Sequence, residues 1–287
     1  MGHRANLILL ENNNPRIYYS HWDGNYIPII LYQGLEFCEK YFVGFDEHGW
    51  LMDNAWSEGG ILIDKDNKNI LFFSVEFLET IALQNAYINY LKKSIWMGWN
   101  IVWASKGNVD FAEYLDLMEG YILADGCAPD YYKMEDWNSL NEVTDDDAFK
   151  SLVTIIHNKT IIDYVLVGHW TEINFCIAEG EQLKEIIPDI YKISNANQIK
   201  EIEIIDTLIV DYDTKQIYAC WSDEVDDRHI DAIIEIWEGW TAKRQTKGVS
   251  FNFEYTKREK VYTKITEEEF IKHLNGIKLL ESRLKLT

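Results

Sequence analysis

Asp64-Lys65-Asp66-Asn67-Lys68-Asn69-Ile70 returns later in the chain as Asp211-Tyr212-Asp213-Thr214-Lys215-Gln216-Ile217, in the same Asp-x-Asp-x-Lys-x-Ile frame. Each copy lies between apolar β-formers, Ile61-Leu62-Ile63 and Leu71-Phe72-Phe73 around the first, Leu208-Ile209-Val210 and Tyr218-Ala219 around the second. A polar, Asp-rich turn between two such runs predicts a β-hairpin, with the carboxylates accepting from turn amides. The acidic spacing is not that of an EF-hand, so calcium binding is not expected there.

Three further landmarks repeat in the same order and at nearly constant separation. His21-Trp22 returns as His169-Trp170, Trp96-x-Gly98-Trp99 as Trp237-x-Gly239-Trp240, and Lys106-Gly107 as Lys247-Gly248. Trp is rare, and a fixed register multiplies the improbability of coincidence, so the pattern reads as an internal duplication.

Working outward, Leu7-Ile8-Leu9-Leu10 and Ile17-Tyr18-Tyr19 flank Glu11-Asn12-Asn13-Asn14-Pro15 and predict a first hairpin; Leu152 to Ile156 and Ile161 to Val167 predict its counterpart. Alone, Asp145 to Ile156 could open a helix, but the register of the copies favours a strand. Helices are expected around Ile29 to Phe42 and Gly180 to Tyr191. Others follow from the spacing of Tyr87, Ile88, Leu91, Ile95 and Trp96, and of Ile230, Ile233, Ile234 and Trp237. Gly98 and Gly239 are expected as left-handed caps of the latter pair, with a strand resuming at Trp99 to Ala104. The fold expected is therefore α+β: a duplicated β-hairpin, helix, β-hairpin, helix, strand unit, related by a pseudo-twofold, with mainly antiparallel sheet. Residues 1–119 form the first repeat, 120–147 a linker whose Tyr121, Tyr131, Tyr132 and Trp137 pack it on the surface, and 148–287 the second repeat. Val249 to Tyr255 and Lys260 to Ile265 read as an added hairpin. A final helix starts at Thr266, with Glu269 completing a capping box and Phe270, Leu274, Ile277 and Leu284 on its buried face.

Of 287 residues, 47% are hydrophobic and 14% aromatic, a folding composition. The 27 basic and 48 acidic residues give a net charge of −21, which repels phosphate backbones and anionic lipid, so neither direct nucleic-acid nor membrane binding is expected. Cys38, Cys127, Cys176 and Cys220 form no C-x-x-C pair and none recurs in the other half, which predicts reduced, buried thiols in a cytoplasmic protein. Neither a signal peptide nor a transmembrane run is apparent.

The His residues make no compact zinc pattern, and there is no G-x-S-x-G elbow, Walker lysine loop or dinucleotide fingerprint, so no metal or cofactor is expected. Residues held in both copies serve mainly the fold; those in one copy can carry a task. That contrast selects Asp46-Glu47-His48-Gly49-Trp50 and Asp53-Asn54-Ala55-Trp56-Ser57-Glu58-Gly59-Gly60, which face a plain Glu/Ile alternation in the second copy. The candidate site is therefore His21, Trp22, Asp53, Trp56 and Glu58, a polar pocket with an aromatic wall. The plainer readings are a hydrogen-bonded imidazole at a strand exit and a capped loop whose glycines allow a turn.

Met1-Gly2-His3-Arg4-Ala5-Asn6, Tyr18-Tyr19-Ser20-His21-Trp22 and Trp56-Ser57-Glu58-Gly59-Gly60 with Ile61-Leu62-Ile63-Asp64 resemble the opening third of a group of uncharacterised bacterial proteins. The resemblance implies a bacterial cytosolic setting and brings no activity with it.

Two functions are expected from these residues. One is an acidic, non-enzymatic interaction module, an immunity or inhibitor protein masking a basic partner such as a toxin or nucleic-acid-processing enzyme. The alternative is a small-molecule-binding protein or hydrolase, in which Trp22 and Trp56 pack on substrate, Glu58 or Asp53 accepts a proton and His21 orients or donates one.

Overall fold

The computed structural model describes residues 3–75, 77–117, 149–168, 172–190, 199–221, 227–258 and 262–281. The linker at 120–147, the second pair His169-Trp170, Cys127 and Leu284 lie outside these residues.

The first half opens with β1 (Ala5–Glu11) and β2 (Asn14–Ser20), an antiparallel hairpin. Asn12 and Asn13 turn it with φ of 55° and 56°, the paired left-handed conformation a two-residue turn needs and Asn tolerates. Helices α1 (Ile27–Tyr32) and α2 (Leu35–Phe42) and the short strand β3 (Glu47–His48) follow, then the hairpin of β4 (Gly59–Asp64) and β5 (Asn69–Ser74). Helix α3 (Ile81–Lys93), β6 (Asn100–Trp103) and α4 (Asn108–Tyr114) complete the half. The sheet order is β3-β2-β1-β4-β5-β6, with β1 parallel to β4 and β5 parallel to β6.

The second half comprises β7 (Phe149–His157), β8 (Thr160–Gly168), α5 (Glu172–Ala178), α6 (Leu183–Ile190), β9 (Ile199–Lys200), β10 (Ile204–Asp211), β11 (Gln216–Cys220), α7 (Asp227–Ile236), β12 (Thr241–Arg244) and α8 (Val249–Tyr255). Its sheet order, β12-β11-β10-β7-β8, repeats the first from β2 to β6, with β7 parallel to β10 and β11 parallel to β12. Only the first sheet carries an outer strand like β3 among the described residues. Beyond it, β13 (Tyr262–Thr263) pairs with β9, and α9 (Glu267–Glu281) follows.

The repeated turn sequence has a double use. Asp64 accepts from Asn67 of its own turn at 2.9 Å, while Asp66 reaches the neighbouring hairpin and accepts from the amides of Asn12 and Asn13 at 3.0 and 2.9 Å. Asp211 serves Asp213 and Thr214 in the same way, and Asp213 caps Asn158 and Lys159 at 2.7 Å each. Lys68 and Lys215 close their turns at φ of 53° and 54°, and Ile70 and Ile217 then return buried into the sheet. The Asp-x-Asp-x-Lys-x-Ile frame thus fixes a hairpin and locks it to the one before.

Each sheet is covered on both faces. Leu7, Leu9, Ile61, Ile63, Ile70 and Phe72 pack under α1, α2 and α3, while Ile8, Leu62 and Phe73 meet Phe111 of α4 on the other side. The second half divides likewise, with Val153, Leu208 and Val210 under α5 to α7, and Leu152 and Ile204 against Val249 and Phe253 of α8. Trp96 and Trp237 are anchors of the two larger cores. Each indole N–H donates at 2.8 Å to a helix carbonyl, Leu31 O for Trp96 and Ile177 O for Trp237.

Four expectations need correction. Both sheets are mixed and not mainly antiparallel, because helical crossovers bring the second hairpin and the last strand in parallel. The single helix expected over Ile29 to Phe42 is broken in two at Gly34, whose φ is 87°, whereas α6 falls within the stretch expected from Gly180 and is preceded by an unexpected helix, α5. Gly98 and Gly239 are left-handed but lie in a turn beyond the helix ends, which fall at Lys93 and Ile236. Val249–Tyr255, expected as the first strand of a hairpin with Lys260 to Ile265, is a helix, and Tyr262–Thr263 pairs as β13 with β9 instead. The capping box is present: Thr266 Oγ1 accepts from the Glu269 amide at 3.1 Å and Glu269 Oε2 from the Thr266 amide at 2.8 Å. Helix α9 crosses to the first half, where Phe270 and Leu274 join the core beside Tyr90. Among the described residues no helix is long and apolar enough to cross a membrane.

Candidate functional site

Strand β2 ends in a tight polar knot. Ser20 Oγ donates to Asp23 Oδ2 at 2.6 Å and accepts from the Trp22 amide at 3.3 Å, while Tyr41 OH lies 3.1 Å from both Asp23 oxygens. Burial pushes the Asp23 carboxyl above its ordinary range, against the pull of the bonds from Ser20 and Tyr41. Holding Asp23 inside turns His21 and Trp22 outward, and Trp22 is 59% exposed.

There they begin a ladder of rings. Trp22 meets His21 at 4.6 Å, and His21 meets Tyr19 at 6.2 Å, with the Tyr19 hydroxyl 2.8 Å from His21 Nδ1. Tyr19 meets His48 at 5.6 Å, and His48 meets Trp50 at 5.4 Å. All four contacts are edge-to-face, the arrangement favoured by the quadrupoles of aromatic rings. The pairing of β2 with β3, Ile17 opposite His48 and Tyr18 opposite Glu47, brings the two stretches together. Trp50 is 57% exposed, so the ladder ends in solvent on both sides.

Of the other three candidates, Glu58 and Trp56 gather around Arg4. Glu58 Oε2 accepts from the Arg4 amide at 2.6 Å, the Glu58 amide donates to Arg4 O at 2.9 Å, and the Arg4 guanidinium stands 5.3 Å over the Trp56 ring. Glu58 is an anchor for the start of β1, and its carboxylate is already engaged. Asp53 precedes the single turn Asn54–Trp56, and its Oδ1 is buried without a described hydrogen-bond partner. Trp56 is itself 56% exposed. The described contacts thus place His21 and Trp22 in one group and Arg4, Trp56 and Glu58 in another.

His48 and Trp50 stood out in the sequence as a first-copy peculiarity, yet nothing local joined them to His21-Trp22; the link is the non-local β2–β3 pairing. Among the described residues no group of three or more His, Cys, Asp or Glu side chains is placed to hold a metal ion. Cys38, Cys176 and Cys220 are buried free thiols, and burial pushes Cys220 up to about 12, far from a nucleophilic thiolate.

No protein-family model, curated protein or solved structure matches this chain.

Proposed function

We propose that this is a non-enzymatic, acidic interaction module that captures a basic protein, in the manner of an immunity or inhibitor protein. The observation that carries the reading is the solvent-exposed ring ladder from Trp22 to Trp50, capped at both ends by tryptophan. Trp and Tyr dominate binding hot spots because they cover much area at little entropic cost. Covering the exposed part of each Trp, on the order of 100 Å², would contribute about 2.5 kcal/mol. Exposed Asp46 and Glu47 lie at the foot of the ladder, and the net charge of −21 draws in a cationic surface over a longer range.

In the same proposal the halves, 1–119 and 148–287, are copies of one duplicated unit. Support comes from their matching strand order, their matching carboxylate-capped turns, and Gly107 and Gly248, which open α4 and α8 at φ of 57° and 55°. Among the described residues only the first copy has a strand like β3, and β3 carries His48. The partner-binding task therefore belongs to the first copy, in a cytoplasmic setting where free thiols persist.

Affinity capture from the native host, with the protein as bait and elution by a salt gradient, tests the reading. It calls for a protein of high isoelectric point, retained at low ionic strength and released as salt rises. Recovery of no basic protein at low salt counts against it.

A further inference from the structure

A cleft of about 460 Å³ opens between α3 and β6 of the first half and β11 and β12 of the second. Its volume is that of a small-molecule site. The chain has 48 acidic and 27 basic residues, yet among the described residues the cleft lining includes Lys92 and Arg244 and no carboxylate.

The walls are held in place. Trp221 is buried with its indole N–H on Asn174 Oδ1 at 3.0 Å, and Trp103 is braced edge-on by Phe72 at 5.2 Å. Arg244 Nη2 donates to Ser105 O at 2.8 Å, so its guanidinium is pinned across the gap between the halves. Asn85, Asn89 and Lys92 recur at helical spacing and form one polar stripe along α3 toward the opening. β6 is an edge strand. Asn100 N and Ala104 N are bonded toward β5, so strand alternation turns the backbone groups of Ile101 and Trp103 to the open side. A pinned guanidinium, a lysine, amide donors and an indole in one concave place suit an anion that carries a ring.

We infer that this cleft binds a small organic anion, its carboxylate or phosphate held by Lys92 and Arg244 and its planar ring lying along Trp103. The inference stands on the charge and geometry of the cleft alone, whether or not the ring ladder captures a protein.

Calorimetric titration of the full chain with four probes tests it: adenosine monophosphate, benzoate, adenosine and inorganic phosphate. At least one of the two ring-bearing anions is expected to bind saturably, and more tightly than adenosine or phosphate. Lys92→Gln is expected to weaken that binding about tenfold, the loss of one charge-assisted bond, with no change in unfolding of the unliganded protein. Arg244→Gln removes the second cation, and its unliganded unfolding is measured alongside because it also releases Ser105. Absence of saturable binding by both ring-bearing anions at millimolar concentration would overturn the inference. So would an affinity unchanged in Lys92→Gln and in Arg244→Gln.

Discussion

The hydroxyl of Tyr114, last residue of α4, donates to Asp64 Oδ2 at 2.5 Å. Tyr255, last residue of α8, reaches Asp211 Oδ2 at 2.8 Å in the same way. Each bond ties the helix on one face of a sheet to the hairpin turn at the sheet's end. Removing either hydroxyl leaves a carboxylate short of a donor, so Tyr114→Phe and Tyr255→Phe are each expected to cost about 2 kcal/mol. Chemical denaturation measures this, and unchanged midpoints in both variants would show that the bonds contribute nothing.

The same contact sets a pH dependence. Burial pushes the Asp64 carboxyl up, but the bonds from Tyr114 and Asn67 outweigh it and hold the group below the usual carboxylate range. A carboxyl depressed in the folded state contributes stability that is present above its unfolded value, about 3.9, and is lost as pH falls through the folded one. The stability gap between wild type and Tyr114→Phe should therefore be full at pH 7 and narrow below about pH 4. A gap of constant size down to pH 3 would rule out this assignment.

Gly59 and Gly98 separate two reasons for a glycine. A Cβ at Gly59 would overlap the Gly24 carbonyl oxygen and crowd Ile27, whereas at Gly98 it meets open space, and only the φ of 83° disfavours it. Gly59→Ala is expected to cost about 3 kcal/mol by overpacking, and Gly98→Ala about 1 kcal/mol by backbone strain alone. Thermal unfolding of the two variants ranks them; the reverse order would mean that Gly24 and Ile27 give way freely.

Trp96 and Trp237 each fill a core and donate one hydrogen bond from the indole nitrogen. Substitution by Phe keeps an aromatic ring but removes the indole donor and opens space, for an expected loss of about 3 kcal/mol per site. Urea titration of the two single variants should give matching losses. A large loss at one site and none at the other would separate the roles that the repeated Trp-x-Gly-Trp sequence assigns them.

What the sequence made legible was local. Asp64, Asp66, Asp211 and Asp213 announced hairpin turns because turn chemistry is decided within a few residues. The strand at Leu152 to Ile156 was recovered only because its counterpart was recognised. Val249–Tyr255 misled because Val249, Phe251, Phe253 and Tyr255 alternate like a strand, while the structure buries Val249, Asn252 and Phe253 at helical spacing. The parallel pairings β1–β4 and β5–β6 are non-local and leave no short-range signature. For the candidate site, His21 and Trp22 were legible as a repeated landmark and Trp56 as part of a loop particular to the first copy. The engagement of Glu58 by Arg4 and the approach of His48 to Tyr19 required the fold.

The most direct test of the proposed function compares two baits in the low-salt capture, wild type and the Trp22→Ala, Trp50→Ala double variant. Both residues are more than half exposed, so each substitution should change stability by no more than about 0.5 kcal/mol, which unfolding curves check. The expected result is a basic protein held by wild type and lost from the folded double variant. Equal retention of the same partner by both baits would contradict the assignment of the ring ladder as the binding face.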